Sequence, residues 1–213
     1  MKIMTVDEAV VLLKGRWGRQ TSASVAFDRA FLPVLCQGHP VAAQAIAEKL
    51  GQPVAVVEDV FRQLKASACE FNEKGELVGA ALTLTPTPHH FYVNGQHLYT
   101  WCAIDTLFLP AHIGQTAAVV STCPVTGQVI QLTVSPQRIE TAAPASTVLS
   151  VVLNTTCSSG LGSSFCGRIH FFATREAAKE WVSDTEDIGI FTLDEAYQIA
   201  RQVYIEPFLQ HIP

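Results

Sequence analysis

The hydrophobic pattern of the chain changes period near Ala80, and that change limits the folds open to it. Before it, apolar residues return every three or four positions, as they do along one face of a helix. Val6, Val10 and Leu13 share a side of a helix predicted over residues 5–14. Arg16 to Ser24, in a stretch with Gly15, Gly18, Thr21 and Ser22, reads as a loop. Phe27, Ala30, Phe31 and Val34 line a second helix, Val25 to Cys36, which Gly38-His39-Pro40 ends. Pro40 suits the first turn of a third helix, which runs to Leu50 and stops at Gly51. Pro53 opens a fourth, with Val56, Val57, Val60, Phe61 and Leu64 at helical spacing.

After Ala80 the period falls toward two, the spacing of a strand with one buried face. Leu82-Thr83-Leu84 alternates. Asn94-Gly95, between Phe91-Tyr92-Val93 and Gln96 to Tyr99, is a strong hairpin signal, because both residues tolerate positive φ. Thr116 to Val120, Val129 to Val134 and the apolar run Val148 to Leu153 are further strands. Asn154 to Ser164, rich in small polar residues and containing Cys157, is a loop. Phe165 to Phe172 is a strand with Cys166, Arg168 and His170 on one face. Thr174 caps a helix from Arg175 to Val182, and Ile188 to Phe191 is a last strand. Thr192 and Glu195 form a capping box that starts a helix through Tyr204, bent or ended by Pro207. The fold class is α+β. A helical, winged-helix-like N-terminal module (residues 1–79) packs on a mostly antiparallel β-sheet core with C-terminal helices (residues 80–213).

The winged-helix likeness raises a role in transcription. Leu50-Gly51-Gln52-Pro53 joins two helices as in a helix-turn-helix. Cys69-Glu70-Phe71, a turn at Asn72 to Gly75 and Leu77-Val78 then follow like a wing. The second helix carries Glu58, Asp59, Arg62 and Lys65, a net charge of zero, whereas DNA affinity requires clustered positive charge. The whole chain is at −5. Its first 68 residues hold eight Lys/Arg against six Asp/Glu, and the rest six against thirteen, so neither part has a basic stripe. We therefore expect no nucleic-acid partner, and the helical module reads as a cap on the second half.

No apolar run fits a signal peptide or spans a bilayer, so a cytoplasmic protein without a membrane partner is expected. In that reducing compartment the six cysteines, Cys36, Cys69, Cys102, Cys123, Cys157 and Cys166, are expected as thiols. No CxxC pair supports a zinc knuckle. Cys123-Pro124-Val125-Thr126-Gly127 resembles half a zinc ribbon without the other half, so Cys123 reads as a buried turn residue. His89 and His90 point to opposite faces of an extended chain and are read as surface or hairpin residues, not a metal pair.

Trp101-Cys102-Ala103-Ile104-Asp105 stands apart. It places a thiol and a carboxylate three residues apart in an apolar segment. If the stretch from Cys102 to Pro110 begins as a helix, the two share a face and point into one pocket. Burial would then raise the carboxyl pKa and keep Asp105 protonated near neutrality. A thiolate beside such an acid binds a soft electrophile and delivers a proton to the leaving group. The plainer alternative is a half-buried cysteine with an aspartate that caps a helix or holds a turn.

With Trp101-Cys102-Ala103-Ile104-Asp105-Thr106-Leu107 and Ser164-Phe165-Cys166 both in view, the chain resembles alkylmercury lyase, also called organomercurial lyase. Tyr99-Thr100, Cys123 ahead of Thr126-Gly127, Leu132 to Pro136 and Ile169 to Ala173 extend the likeness over roughly residues 70 to 180. The resemblance implies protonolysis of the carbon–mercury bond of R–Hg⁺. Cys102 and Cys166 would grip the mercury, Asp105 would handle the proton and also face the Hg(II) product, and Cys123 would be structural. Some members carry a further cysteine directly after the second catalytic one, and here that position is Gly167. Thiolate is the soft ligand that a soft metal requires. Two sulfurs on one mercury push electron density onto carbon until it accepts a proton. A thiol pair and a placed acid suffice, so no cofactor is implied. Trp101 and Phe165 would wall an apolar pocket for R. Cellular thiols would carry substrate in, and a mercuric reductase is the implied acceptor of Hg(II). Two rivals are a thiol-based metal-responsive transcription regulator and a non-catalytic mercury-binding protein. The second of these has no use for Asp105.

Overall fold

The change of period near Ala80 becomes a change of architecture. The computed structural model describes residues 4–17, 20–65, 69–153, 165–182 and 187–212. Four helices come first: α1 (Val6–Trp17), α2 (Ser22–Leu35), α3 (Ala43–Leu50) and α4 (Val54–Lys65). Gly51 ends α3 with φ 61°, a left-handed conformation that suits glycine. The wing-like hairpin follows as β1 (Glu70–Phe71) and β2 (Leu77–Ala80).

β2 continues into a larger sheet of β3 (Leu82–Thr83), β4 (His89–Val93), β5 (Gln96–Thr100), β6 (Ala117–Thr122), β7 (Val129–Val134) and β8 (Ile139–Ala143). The strand order is β1-β2-β3-β5-β4-β6-β7-β8, and every pairing is antiparallel. Asn94 (φ 52°) and Gly95 (φ 74°) form the two-residue turn that fixes the register Val93↔Gln96. A second, three-stranded antiparallel sheet has the order β10-β9-β11, from β9 (Val148–Val152), β10 (Phe171–Phe172) and β11 (Ile188–Thr192). Every residue of β9 is buried, which explains its unbroken apolar run. The remaining helices are α5 (Asp105–Ile113), α6 (Arg175–Val182), α7 (Leu193–Ala200) and α8 (Glu206–Leu209). α1 packs against α7, which ties the first helix to the end of the chain. The class is α+β. Among the described residues no helix is long and apolar enough to cross a membrane.

Phe91 sits at the middle of this core, fully buried on β4 between Leu98 of β5 and Val119 of β6. Phe91→Ala should cost about 3–5 kcal/mol. The urea midpoint should fall while the slope of the unfolding transition stays constant.

Several sequence expectations are corrected. The first helix runs to Trp17, and the second starts at Ser22 behind a Thr21–Ser24 capping box, so the intervening loop is shorter than predicted. Pro40 lies outside α3, because Val41 is engaged in a bridge with Leu77. Strand β8 was not foreseen, since Ile139–Ala143 shows no buried alternation. The strand predicted over Phe165 to Phe172 is mostly absent. Cys166–Arg168 form a 3₁₀ turn, and only Phe171–Phe172 are extended in a sheet. Pro207 does not end the helical tail. A π-helical segment, Arg201–Ile205, precedes it, and Glu206 donates five residues back to the Arg201 carbonyl. That longer repeat accommodates a residue that has no N–H to give. The predicted loop Asn154 to Ser164, with Cys157, lies outside the described residues.

Candidate active site

Strand β5 ends at Thr100, and the chain turns sharply before α5. The Trp101 N–H is tied to the Ala81 carbonyl (2.9 Å), and the Thr100 hydroxyl donates to the Cys102 carbonyl (3.0 Å). The Thr106 hydroxyl donates to the Ala103 carbonyl (2.7 Å). Asp105 is the first residue of α5, and its carboxylate folds back over the turn. Its Oδ2 accepts the Cys102 N–H (2.9 Å) and the Cys102 S–H (3.2 Å). Cys102 therefore precedes the helix, and the pair is joined by a turn, not by a shared helical face. The plain reading, an aspartate that holds a turn, and the chemical reading, an acid beside a thiol, describe one arrangement.

Cys166 reaches the same place from the 3₁₀ turn. Next to Cys102, the Ala103 N–H donates to the Ile169 carbonyl (3.2 Å), which links the two turns. Arg168 anchors the second turn through a bidentate pair with Asp187 (2.8 Å for each bond). Ligand atoms of Cys102, Asp105 and Cys166 all lie within 4.8 Å of one another, and among the described residues no other such group of three occurs. Cys102 is 0 %, Cys166 5 % and Asp105 7 % exposed. A zinc–thiolate bond is about 2.3 Å, so two end to end span about 4.6 Å. Mercury(II) is larger still, and one ion can touch both sulfurs.

Burial sets the protonation. It pushes the Cys102 thiol well above its ordinary value, and the neighbouring Cys166 and Asp105 push it further. Cys102 therefore rests as a thiol. Burial also pushes the Asp105 carboxyl up to about 7, against the downward pull of its two hydrogen bonds from Cys102. Between about pH 4 and 7 the folded protein thus keeps a proton that the unfolded chain, with its carboxyl near 3.8, has released. The Asp105 contribution to stability should be greatest at the acid side of this window and fall as pH rises through it, by at most about 1.4 kcal/mol per pH unit for each such group. Asp28, also raised to about 7 by burial, acts in the same direction. Burial lowers His89 to about 3 and His112 to about 4, which acts in the opposite direction over the same window. The readout is therefore a difference: from pH 4 to 7 the urea midpoint of the wild type should fall relative to that of Asp105→Asn.

The other sequence candidates lie around this cluster. Trp101 is half-buried, and its indole N–H has no hydrogen-bond partner among the described residues. Phe165 is buried at the entrance to the Cys166 turn. Cys123 is buried in the β6–β7 turn, outside the cluster. Burial raises its thiol pKa, but hydrogen bonds from Thr126, Ala173 and Val125 outweigh that and lower it. Cys36, Cys69, Cys102, Cys123 and Cys166 are all free. His89 corrects the surface reading. It is 2 % exposed, and its Nδ1 is 2.9 Å from the Ser121 hydroxyl. His90, on the opposite face, is hydrogen-bonded to His97 (2.8 Å). Sequence reasoning also missed Thr100. A hydroxyl at the end of a strand just before a chemically loaded turn is the signal that could have found it.

The family model for alkylmercury lyase matches residues 82–205, or 124 of 213 positions, and that span includes Cys102, Asp105 and Cys166. The chain belongs to the alkylmercury lyase family. An alkylmercury lyase of Staphylococcus epidermidis is 38% identical over 175 residues, 82% of this chain and 80% of its own length. One of Streptomyces lividans is 40% identical over 174 residues, 81% of this chain and 79% of its own. The crystal structure of the mercury-bound form of MerB2 has the same fold, with a TM-score of 0.77 at 24% identity, covering 95% of this chain and 98% of that one.

Proposed function

We propose that this member of the family cleaves carbon–mercury bonds by protonolysis, with Cys102 and Cys166 as the mercury ligands and Asp105 as the proton carrier. The observation that carries the reading is the mutual approach of two buried sulfurs and one carboxylate. R–Hg⁺ arrives on a small thiol, and Cys166 displaces that thiol to give R–Hg–S. The Cys102 thiol then passes its proton along the existing 3.2 Å contact to the Asp105 carboxylate, and the new thiolate binds the same mercury. Two sulfurs load electron density onto carbon. Asp105 returns the proton to that carbon, the carbon–mercury bond breaks, and R–H leaves. Hg(II) stays between the two sulfurs, and Asp105 is again a carboxylate. The hydrogen in the product is the one Cys102 carried, so the balance closes without a cofactor. A carboxyl pushed up to about 7 is matched to accepting and giving a proton near neutrality.

Trp101 and Phe165 are the proposed walls around R, and their exclusion of water would strengthen the acid. Cys123 serves the β6–β7 turn. Residues 80–213 carry the chemistry and residues 1–79 cap it. Cellular thiols deliver substrate, a mercuric reductase receives Hg(II), and the reducing cytoplasm keeps the cysteines as thiols. The test is incubation with phenylmercury and excess thiol, with benzene measured. Benzene in proportion to bound mercury is the expected result. Mercury bound without benzene would make the protein a carrier.

A further inference from the structure

The turn that presents Cys166 is held by side chains that take no part in the proton path. It is a single 3₁₀ turn, Cys166–Arg168, with Phe165 directly before it. The Cys166 carbonyl accepts the Ile169 N–H (3.2 Å). The Gly167 carbonyl pairs with His170 Nε2 (2.9 Å), and the Arg168 carbonyl accepts the Ser150 hydroxyl (3.0 Å). A carbonyl only accepts, so His170 carries its hydrogen on Nε2. Ser150 also accepts the His170 N–H (2.9 Å) through its hydroxyl and gives its own N–H to the His170 carbonyl (3.0 Å). Ser150 belongs to β9, the fully buried central strand of the second sheet, which makes it a rigid anchor. The His170 ring is boxed by Trp181 (5.2 Å between centroids), His89 (5.8 Å) and Phe172 (6.4 Å).

We infer that His170 and Ser150 are positioning residues, which fix the Cys166 turn so that its sulfur holds the mercury where Cys102 can bind it too. The role presupposes the two-sulfur capture proposed above. A 3₁₀ turn has poor internal hydrogen bonds. Two carbonyls tied to a rigid strand and a boxed ring replace what the turn itself lacks. Groups that orient metal ligands from behind typically change affinity or rate by about 10–100-fold when removed.

The test compares His170→Phe, His170→Gln and Ser150→Ala in the full chain. Phenylalanine keeps the ring packing and removes the N–H, whereas glutamine keeps a donor near the Nε2 position. Three readouts are needed: thermal unfolding, kcat and KM for phenylmercury, and retention of Hg(II) against an equimolar small dithiol. Retention is read as the mercury that stays with the protein after the small dithiol is removed by gel filtration. In His170→Phe and Ser150→Ala, kcat should fall about 10–100-fold with KM within about threefold, and Hg(II) retention should drop. His170→Gln should recover most of both. Wild-type kcat and retention in folded His170→Phe would overturn the inference. So would equal losses in folded His170→Gln and His170→Phe, which would assign the effect to packing. If His170→Phe does not fold, Ser150→Ala decides, and an unchanged kcat and retention there are equally fatal. Failure of the wild type to release benzene would refute the enzymatic reading instead, while the dithiol competition would still test the turn.

Discussion

Asp105→Asn should leave mercury capture intact and reduce hydrocarbon release by about 10²–10⁴-fold, the usual contribution of a placed acid or base. The asparagine carbonyl can still accept the Cys102 N–H, so the turn ahead of α5 keeps its tie. What is lost is the carboxylate in contact with the Cys102 thiol, which on the proposed mechanism takes that proton and returns it to carbon. A single-turnover experiment separates the steps. The variant is mixed with phenylmercury, then protein-bound mercury and free benzene are both counted. Mercury should be bound near one equivalent, with benzene slow or absent. Benzene release at the wild-type rate would remove Asp105 from the proton path.

Replacing either sulfur should be at least as damaging. Cys102→Ser or Cys166→Ser exchanges a soft ligand for a hard one that mercury binds poorly. Loss of about 10³-fold or more in benzene release is the expected result, on the scale seen when one member of a catalytic unit is removed. The double variant should be little worse than either single one, because the two sulfurs act on one atom and their effects do not add. The single variants should still hold R–Hg⁺ on the remaining cysteine, though without the electron push of the second. Benzene release that survives either substitution would refute the pair. Mercury retention against a dithiol competitor should also fall, which provides a reading independent of turnover.

Much of this molecule could be read from local chemistry. Asn94-Gly95 predicted its hairpin because both residues adopt positive φ at little cost. Thr192 and Glu195 predicted a helix start that forms as a capping box. The candidate trio was legible as residue types in family-like settings, and the fold brings all three together. What could not be read was how they meet. A helical face for Cys102 and Asp105 was a sensible expectation from spacing, but the Asp105 carboxylate caps the turn ahead of the helix instead. Period two suggested a strand at Cys166, yet hydrogen bonds from Ser150 and His170 favour a 3₁₀ turn there. Those partners lie 16 residues before Cys166 and four after it, and Ser150 arrives through sheet pairing that no local pattern encodes. His89 looked like a surface residue because its tertiary partner, Ser121, is 32 positions away.

The enclosure of Cys102 has one more consequence. Peroxide attacks thiolates that it can reach, and this sulfur is neither ionised at rest nor open to solvent. Organomercurials are handed over from one sulfur to the next and need no free anion in advance. On the proposed mechanism, Cys102 would thus stay a buried thiol, shielded from oxidation during idle periods, and would become an anion only when a heavy metal is already in place.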